Sequence, residues 1–248
     1  MQRCRWLILV LLLSVMSGVA ASVSEAEQID QVRKSLALLL PEVLPESIRH
    51  TPIPNLFEVV VGTRLVYVTG DGRYLIEGEI IDLEQQKNLT NPRLNAVTVA
   101  AIDAIGEQNM LIFEPKEQAK HTITVFTDID SAYSRKLHQE IEQYARRGIR
   151  VRYLFFPRAG LESHSFNKAV AVWCAPDRRA ALERAMAGEP IDSPSCPNPV
   201  QQHWQLAGRM GVSGAPVLVL DNGDMLPGYV SAERLSEVLD KMQRLQQP

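Results

Sequence analysis

Apolar residues at Ile29, Val32, Leu36 and Leu39 recur at three- and four-residue spacing, which predicts an amphipathic helix over 25–40 that Pro41 ends. Pro45, Pro52 and Pro54 then punctuate a short irregular stretch. Segments 56–61, 65–69 and 74–81 are rich in Val, Ile, Leu and Tyr, and Gly70-Asp71-Gly72 joins the second and third as a hairpin. Asn91 followed by Pro92 reads as a helix start, with Asn as cap, and Leu94, Val97, Ala101 and Ile105 carry the stripe to Gly106. This is expected to be a helix connecting two domains. From His121 the pattern changes. Strand 122–127, loop 128–130, helix 131–147 stopped by Gly148, and strand 149–156 ended by Pro157 follow in order. Helical segments at 165–174, 177–187 and 200–210 lead to a hairpin, 217–220 with 225–226, around Asp221-Asn222-Gly223-Asp224. Ser231 caps a last helix carrying Leu235, Val238, Leu239, Met242 and Leu245. Strand-helix-strand, then helices, then hairpin and helix is a thioredoxin topology with a helical insertion.

A unit of one helix and three or four strands near the N-terminus is too small to bury much surface alone. The expected partner is another copy, paired along the exposed edge of 74–81. The Asn88-Leu89-Thr90 triplet matches a glycosylation sequon but occurs too readily by chance to carry a role.

The first residues add a destination. Arg3 and Arg5 precede an apolar run over 6–15 broken only by Ser14, and small residues follow from Ser17 to Ser22. That is the layout of a secretory signal peptide over 1–21, cut after Ala20 or Ala21. The apolar run is shorter than the roughly 20 residues a membrane anchor needs. Cleavage removes Arg3 and Arg5, so the net charge of −3 becomes −5. A mildly acidic chain with no basic run offers no footprint for nucleic acid. Of the three cysteines, Cys4 leaves with the leader, and Cys174 with Cys196 remain as an even pair in an exported chain. Such a pair reads as a disulfide, with two buried thiols as the alternative.

Three segments together carry a family likeness. The first runs from His121-Thr-Ile-Thr-Val-Phe-Thr-Asp128 into Ser131-Ala132-Tyr133-Ser134 and Arg135-Lys136-Leu137-His138. The second is Gly148-Ile-Arg-Val-Arg-Tyr-Leu-Phe-Phe-Pro157-Arg158-Ala-Gly160. The third comprises Gly211-Val-Ser-Gly-Ala-Pro216 and Asn222-Gly223 through Pro227-Gly228-Tyr229. With Val66-Tyr67-Val68-Thr69-Gly70-Asp71-Gly72 and Ile76-Glu77-Gly78 in the N-terminal unit, the mature chain resembles the DsbC group (DsbC/DsbG) of periplasmic disulfide isomerases over essentially its whole length. The resemblance implies an α+β protein. A small cystatin-like dimerisation domain would cover 22–83, a linker with a helix 84–117, and a thioredoxin-like domain 118–248. It further implies a structural disulfide between Cys174 and Cys196, a cis bond before Pro216 facing the active helix, and no cofactor. Relatives often carry Thr where this chain has Ala215.

The departure lies at the centre. Where the family carries Cys-x-x-Cys, this chain has Ser131 and Ser134. Exchange requires a thiolate that attacks a disulfide sulfur, and a helix N-terminus lowers the thiol pKa from about 8.5 so that the thiolate forms. A hydroxyl is a far weaker acid and forms no disulfide. Read without the family, Ser131 is a helix cap. A hydrolytic nucleophile would need a base within reach, and His121 and His138 have no triad-like context. Asp128 and Asp130 read as solvated loop acids favoured by the helix dipole, and His164 with His203 lack metal-ligand spacing. Trp173 and Trp204 are expected to pack the helical insertion.

By resemblance, then, the chain is a redox-silent relative. It would dimerise through its N-terminal unit, bind unfolded or misoxidised exported proteins in the manner of a chaperone, and make no productive use of the family's reductase DsbD. After signal cleavage it would have no membrane attachment. Two alternatives stay open: an ordinary isomerase whose redox cysteines have been replaced deliberately by serine, and a regulatory subunit that pairs with an intact relative.

Overall fold

A computed structural model describes residues 24–39, 47–192 and 195–246. The leader, its cleavage site, Cys4, Pro41 and Pro45 lie outside the described residues.

The N-terminal unit starts with α1 (Glu25–Leu39). Val32 and Leu36 from its apolar stripe are buried against Phe57, Val59, Val66 and Val68. Those residues belong to an antiparallel sheet formed by β1 (Ser47–His50), β2 (Leu56–Val61), β3 (Arg64–Thr69) and β4 (Leu75–Ile76), in that order. The expected third strand over 74–81 is therefore much shorter than its composition suggested. Only Tyr67 opposite Ile76 and Val68 opposite Leu75 are paired, and the chain then turns through Gly78 into a separate hairpin of β5 (Ile81–Asp82) and β6 (Lys87–Asn88). Consequently Tyr74, Leu75, Ile76, Ile81 and Leu83 stay exposed.

Helix α2 (Thr90–Asp103) follows. Its N-cap position is Leu89, and the side chain that covers the helix start is that of Asn88, one residue earlier, not Asn91. The Asn88 side-chain oxygen accepts from the amides of Thr90 and Asn91, each at 2.9 Å. A short 3₁₀ turn, Glu107–Asn109, leads to β7 (Leu111–Phe113), a strand the sequence pattern did not announce.

The second sheet has the order β11 (Met225–Pro227), β10 (Val217–Val219), β8 (His121–Thr127), β9 (Ile149–Phe155) and β7. Its centre is the parallel pair β8 (His121–Thr127) and β9 (Ile149–Phe155). A parallel pair needs a crossover, which here is made by α3 (Ala132–Gln139) and α4 (Ile141–Arg146). The single helix expected over 131–147 is broken at Glu140. The Glu140 carboxylate accepts from the Tyr229 hydroxyl and, at 3.1 Å, from the amide of Ala232, which pins the break to the chain ahead of the last helix. Gly148, at φ +76, lets the chain leave α4 directly into β9. The insertion comprises α5 (His164–Cys174), α6 (Arg178–Met186) and α7 (Val200–Arg209); β10 (Val217–Val219), β11 (Met225–Pro227) and α8 (Ala232–Gln246) complete the chain.

Period-two alternation divides the core. On one face Ile123, Val125, Val151, Tyr153 and Leu218 pack with Leu137, Leu182 and Leu235 from α3, α6 and α8. On the other Phe126, Leu154, Val217 and Val219 pack with Leu206 from α7 and with Ile102 from α2. Trp173 joins the first cluster as expected of the insertion, whereas Trp204 faces the second, beside α2. The connecting helix is thus also part of the thioredoxin core.

Candidate functional site

The loop 128–130 and the first turn of α3 sit at the end of β8, opposite the corner that opens β10. Ser131 has extended backbone (φ −81, ψ 123) and caps α3 by accepting from the Ser134 amide at 3.3 Å. Its own hydroxyl proton goes to the carbonyl oxygen of Ala215 at 2.8 Å. The Ala215–Pro216 peptide is cis. Ser131, Ser134 and Pro216, 85 positions apart along the chain at the extremes, are therefore brought to one corner. Ser134 also accepts from the Asp128 amide at 3.3 Å, and both serines are buried, with 2% and 1% of their surface exposed. Neither hydroxyl is free to act on a substrate without displacing a partner.

Charge around the corner differs from the sequence expectation. Asp128 is not solvated but buried, and its Oδ2 accepts from the backbone amide and the guanidinium of Arg158, at 3.1 and 2.9 Å. Asp130 is exposed, as expected of a loop acid, and takes Lys168 at 2.6 Å and Arg135 at 3.2 Å, with His164 at 3.6 Å. Burial pushes the Asp130 carboxyl up, but the Lys168 hydrogen bond and the surrounding cations outweigh it and hold the group below its ordinary value. Arg135, Arg158 and Lys168 escaped the sequence reading because nothing in their local spacing ties them to residues 128–130. On the rim, Tyr133 and Leu161 expose apolar surface.

Among the described residues, His138, His121 and His203 are each engaged elsewhere than at the serines. His138 is buried on α3, with Nδ1 3.2 Å from the Tyr153 hydroxyl and its ring edge-on to Phe113 at 5.4 Å. Desolvation lowers its pKa to about 4, so it is neutral. His121 lies at the opposite end of β8, between Asp221 and Asp240. His203 is spent on structure, accepting from the Phe155 amide and donating to the Asn109 carbonyl. The two remaining cysteines are bonded to each other, Cys174 at the end of α5 and Cys196 ahead of α7, with Cα atoms 5.7 Å apart. This bridge ties the insertion together at a place other than the α3 corner.

Chemically, the corner offers what would favour a thiolate, the N-terminal end of a helix with its positive dipole end, and the Ala215 carbonyl ahead of cis Pro216 is in contact with it. It lacks the sulfur.

Comparison with known proteins agrees with this architecture. Residues 110–243 match the thioredoxin-like domain family, and residues 19–91 match the N-terminal domain family of disulfide bond isomerase proteins. The thiol:disulfide interchange protein DsbC of Salmonella typhimurium is 37% identical over 242 residues, covering 97% of this chain and 97% of that protein. DsbC of Escherichia coli is 34% identical over 227 residues, covering 91% of this chain and 94% of that one. A crystal structure of the disulfide interchange protein from Neisseria gonorrhoeae, 29% identical, superposes with a TM-score of 0.50 over 56% of this chain and 98% of its own.

Proposed function

This chain belongs to the DsbC-like thiol:disulfide interchange proteins, and from that premise we propose that it is a redox-silent, client-binding member acting in the periplasm after loss of its 1–21 leader. One observation carries the reading: the exchange corner is assembled around Ser131, Ser134 and cis Pro216 with no sulfur in it. A serine hydroxyl neither attacks a disulfide nor stores one, so turnover by the family's route, and recharging by the reductase DsbD, have no chemical basis here. Client binding rests on apolar surface that does not depend on sulfur, including Tyr133 and Leu161 beside the corner.

The same reading assigns 22–83 to dimerisation, 84–117 to a connector and 118–248 to the thioredoxin-like unit. Support for a homodimer comes from the row of exposed apolar side chains between Tyr74 and Leu83, beside a strand only two residues long. Two such edges, paired across a two-fold axis, would bury what one leaves open. The second reading, an ordinary isomerase with both redox cysteines deliberately changed, is favoured by one fact: sulfur is missing at 131 and 134 but retained at 174 and 196. Cysteine codons at those positions in the source gene decide for it.

The test uses the mature chain, a scrambled-disulfide substrate and an aggregating unfolded client. The expected result is no isomerase or reductase turnover together with suppressed aggregation by a dimer. Turnover by the unmodified chain, or no effect on aggregation, overturns the proposal.

A further inference from the structure

A cleft to which neither serine nor Pro216 contributes lies where the N-terminal sheet meets the end of α7. Its volume is about 440 Å³, within the range of small-molecule sites. Leu65 from β3, Leu94 from α2 and Met210 just past α7 give it apolar walls, each half-buried. Arg64, Arg209 and Glu77 bring two guanidiniums and one carboxylate to it. Arg64 is paired with Glu77, whereas Arg209 is exposed and has no carboxylate partner among the described residues. The carbonyl of Arg209 already accepts from the Thr63 hydroxyl at 2.7 Å, so the group this residue has to offer is its cation.

Gly208 supplies an independent observation. It lines the same cleft and lies inside α7, one residue before its end, with no positive φ. A glycine within a helix costs stability relative to alanine. Neither conformation nor crowding requires one here, because a Cβ at 208 would meet nothing within 4 Å. What the missing side chain leaves is room in the cleft. A helix that gives up stability to keep a hollow open, beside a cation with no partner, has the features of a binding site.

We propose that this cleft binds a carboxylate with an apolar tail, the carboxylate on Arg209 and the tail along Leu65, Leu94 and Met210 in the space left by Gly208. Charge decides the class: the two guanidiniums outnumber the one carboxylate, so an anion completes the set where a cation would be repelled. Two sources share this chemistry, a free fatty acid and the C-terminus of an apolar peptide. The site depends neither on client binding at the exchange corner nor on the dimer.

Amide chemical shifts of the isotope-labelled mature chain test it. The chain is titrated with decanoate, below its micelle-forming concentration, and with acetyl-trileucine carrying a free carboxylate. The expected result is saturable binding of at least one probe, with shifts centred on Leu65, Leu94 and Met210; the tighter probe names the source. Decanol and the amide of the peptide, which lack the charge, bind about tenfold more weakly or less. Arg209→Ala weakens binding by about the same factor, while Arg49→Ala, an exposed arginine on β1 outside the cleft, leaves it unchanged. Gly208→Leu fills the hollow without meeting the protein and abolishes binding. Shifts that do not saturate for either probe, or that centre on the exposed apolar residues between Tyr74 and Leu83, overturn the proposal. So does parental affinity in Arg209→Ala or in a folded Gly208→Leu. If Gly208→Leu does not fold, Arg209→Ala decides alone.

Discussion

Two corners of the thioredoxin-like unit invite comparison: one holds a disulfide, and the other holds the serine pair that the proposed reading sets at the family's redox positions. At the end of α5 the pair is intact, with Cys174 bonded to Cys196. At the start of α3 the pair is Ser131 and Ser134, yet the surroundings are as fully made: a capped helix, a paired Asp128, and a cis proline whose neighbouring carbonyl the first serine contacts. The difference separates two uses of sulfur. In the first corner sulfur is a covalent brace, and nothing isosteric replaces a bond. In the second it is a reagent, and its oxygen counterpart fills the same space, satisfies the same helix terminus and removes only the chemistry. Fold and reactivity are separable at α3 and inseparable at α5.

That contrast is open to attack, first at the bridge. Breaking it in Cys174→Ala/Cys196→Ala releases a loop of about 23 residues and is expected to cost about 3 kcal/mol in the chain-entropy model, read by urea denaturation. The unreduced, denatured chain is expected to show no free thiol. A loss well below 1 kcal/mol would place the brace elsewhere.

Acid strikes both corners at once, because each buries a histidine. His138 lies on α3, and His203 packs edge-on to Trp173 near the bridge. Burial lowers both pKa values to about 4, outweighing for His203 the hydrogen bond to the Asn109 carbonyl. In the unfolded chain they titrate near 6.5. The unfolded state thus binds more protons between these values, and stability present above about pH 6.5 is lost as pH falls toward 4. Going from pH 7 to pH 5 is expected to cost about 2 kcal/mol per histidine. His138→Phe, a shape compatible with Phe113 and Tyr153, should remove roughly half of that loss. A denaturation midpoint unchanged between the two pH values contradicts the account.

The smallest effect sharpens the comparison most. Ser131→Ala removes the cap on the Ser134 amide and the bond to Ala215, and is expected to cost about 1–2 kcal/mol in thermal or urea unfolding. No measurable cost would mean that the serine fills space without holding the corner.

What could be read in advance follows from how locally each feature is encoded. Alternation in β8 and β9 and the glycine stop at 148 are written in consecutive residues, and the central sheet was legible from them. The thioredoxin corner was legible only through likeness to a family, since Ser131 taken alone is a helix cap. Features that depend on distant partners were not legible. Asp128 became a buried ion-pair member through Arg158, thirty positions on. The break at Glu140 is set by Tyr229 and Ala232, although the local pattern of apolar residues runs straight through it. Strand β7 is three residues long, too short to display a period. The stretch 74–81 failed in the opposite sense. Its composition favours a strand, but only two residues find a partner in the sheet, and the apolar remainder faces outward.

The most direct measurement restores the reagent. In Ser131→Cys/Ser134→Cys the first thiol would sit at the N-terminus of α3, beside the Ala215 carbonyl and cis Pro216, where the helix end lowers its pKa and favours the thiolate. Turnover of a scrambled-disulfide substrate is measured alongside the unmodified chain at equal concentration. The account predicts activity in the restored protein and none in the parent. A restored protein that folds and remains inert, or a parent that turns over, would contradict it.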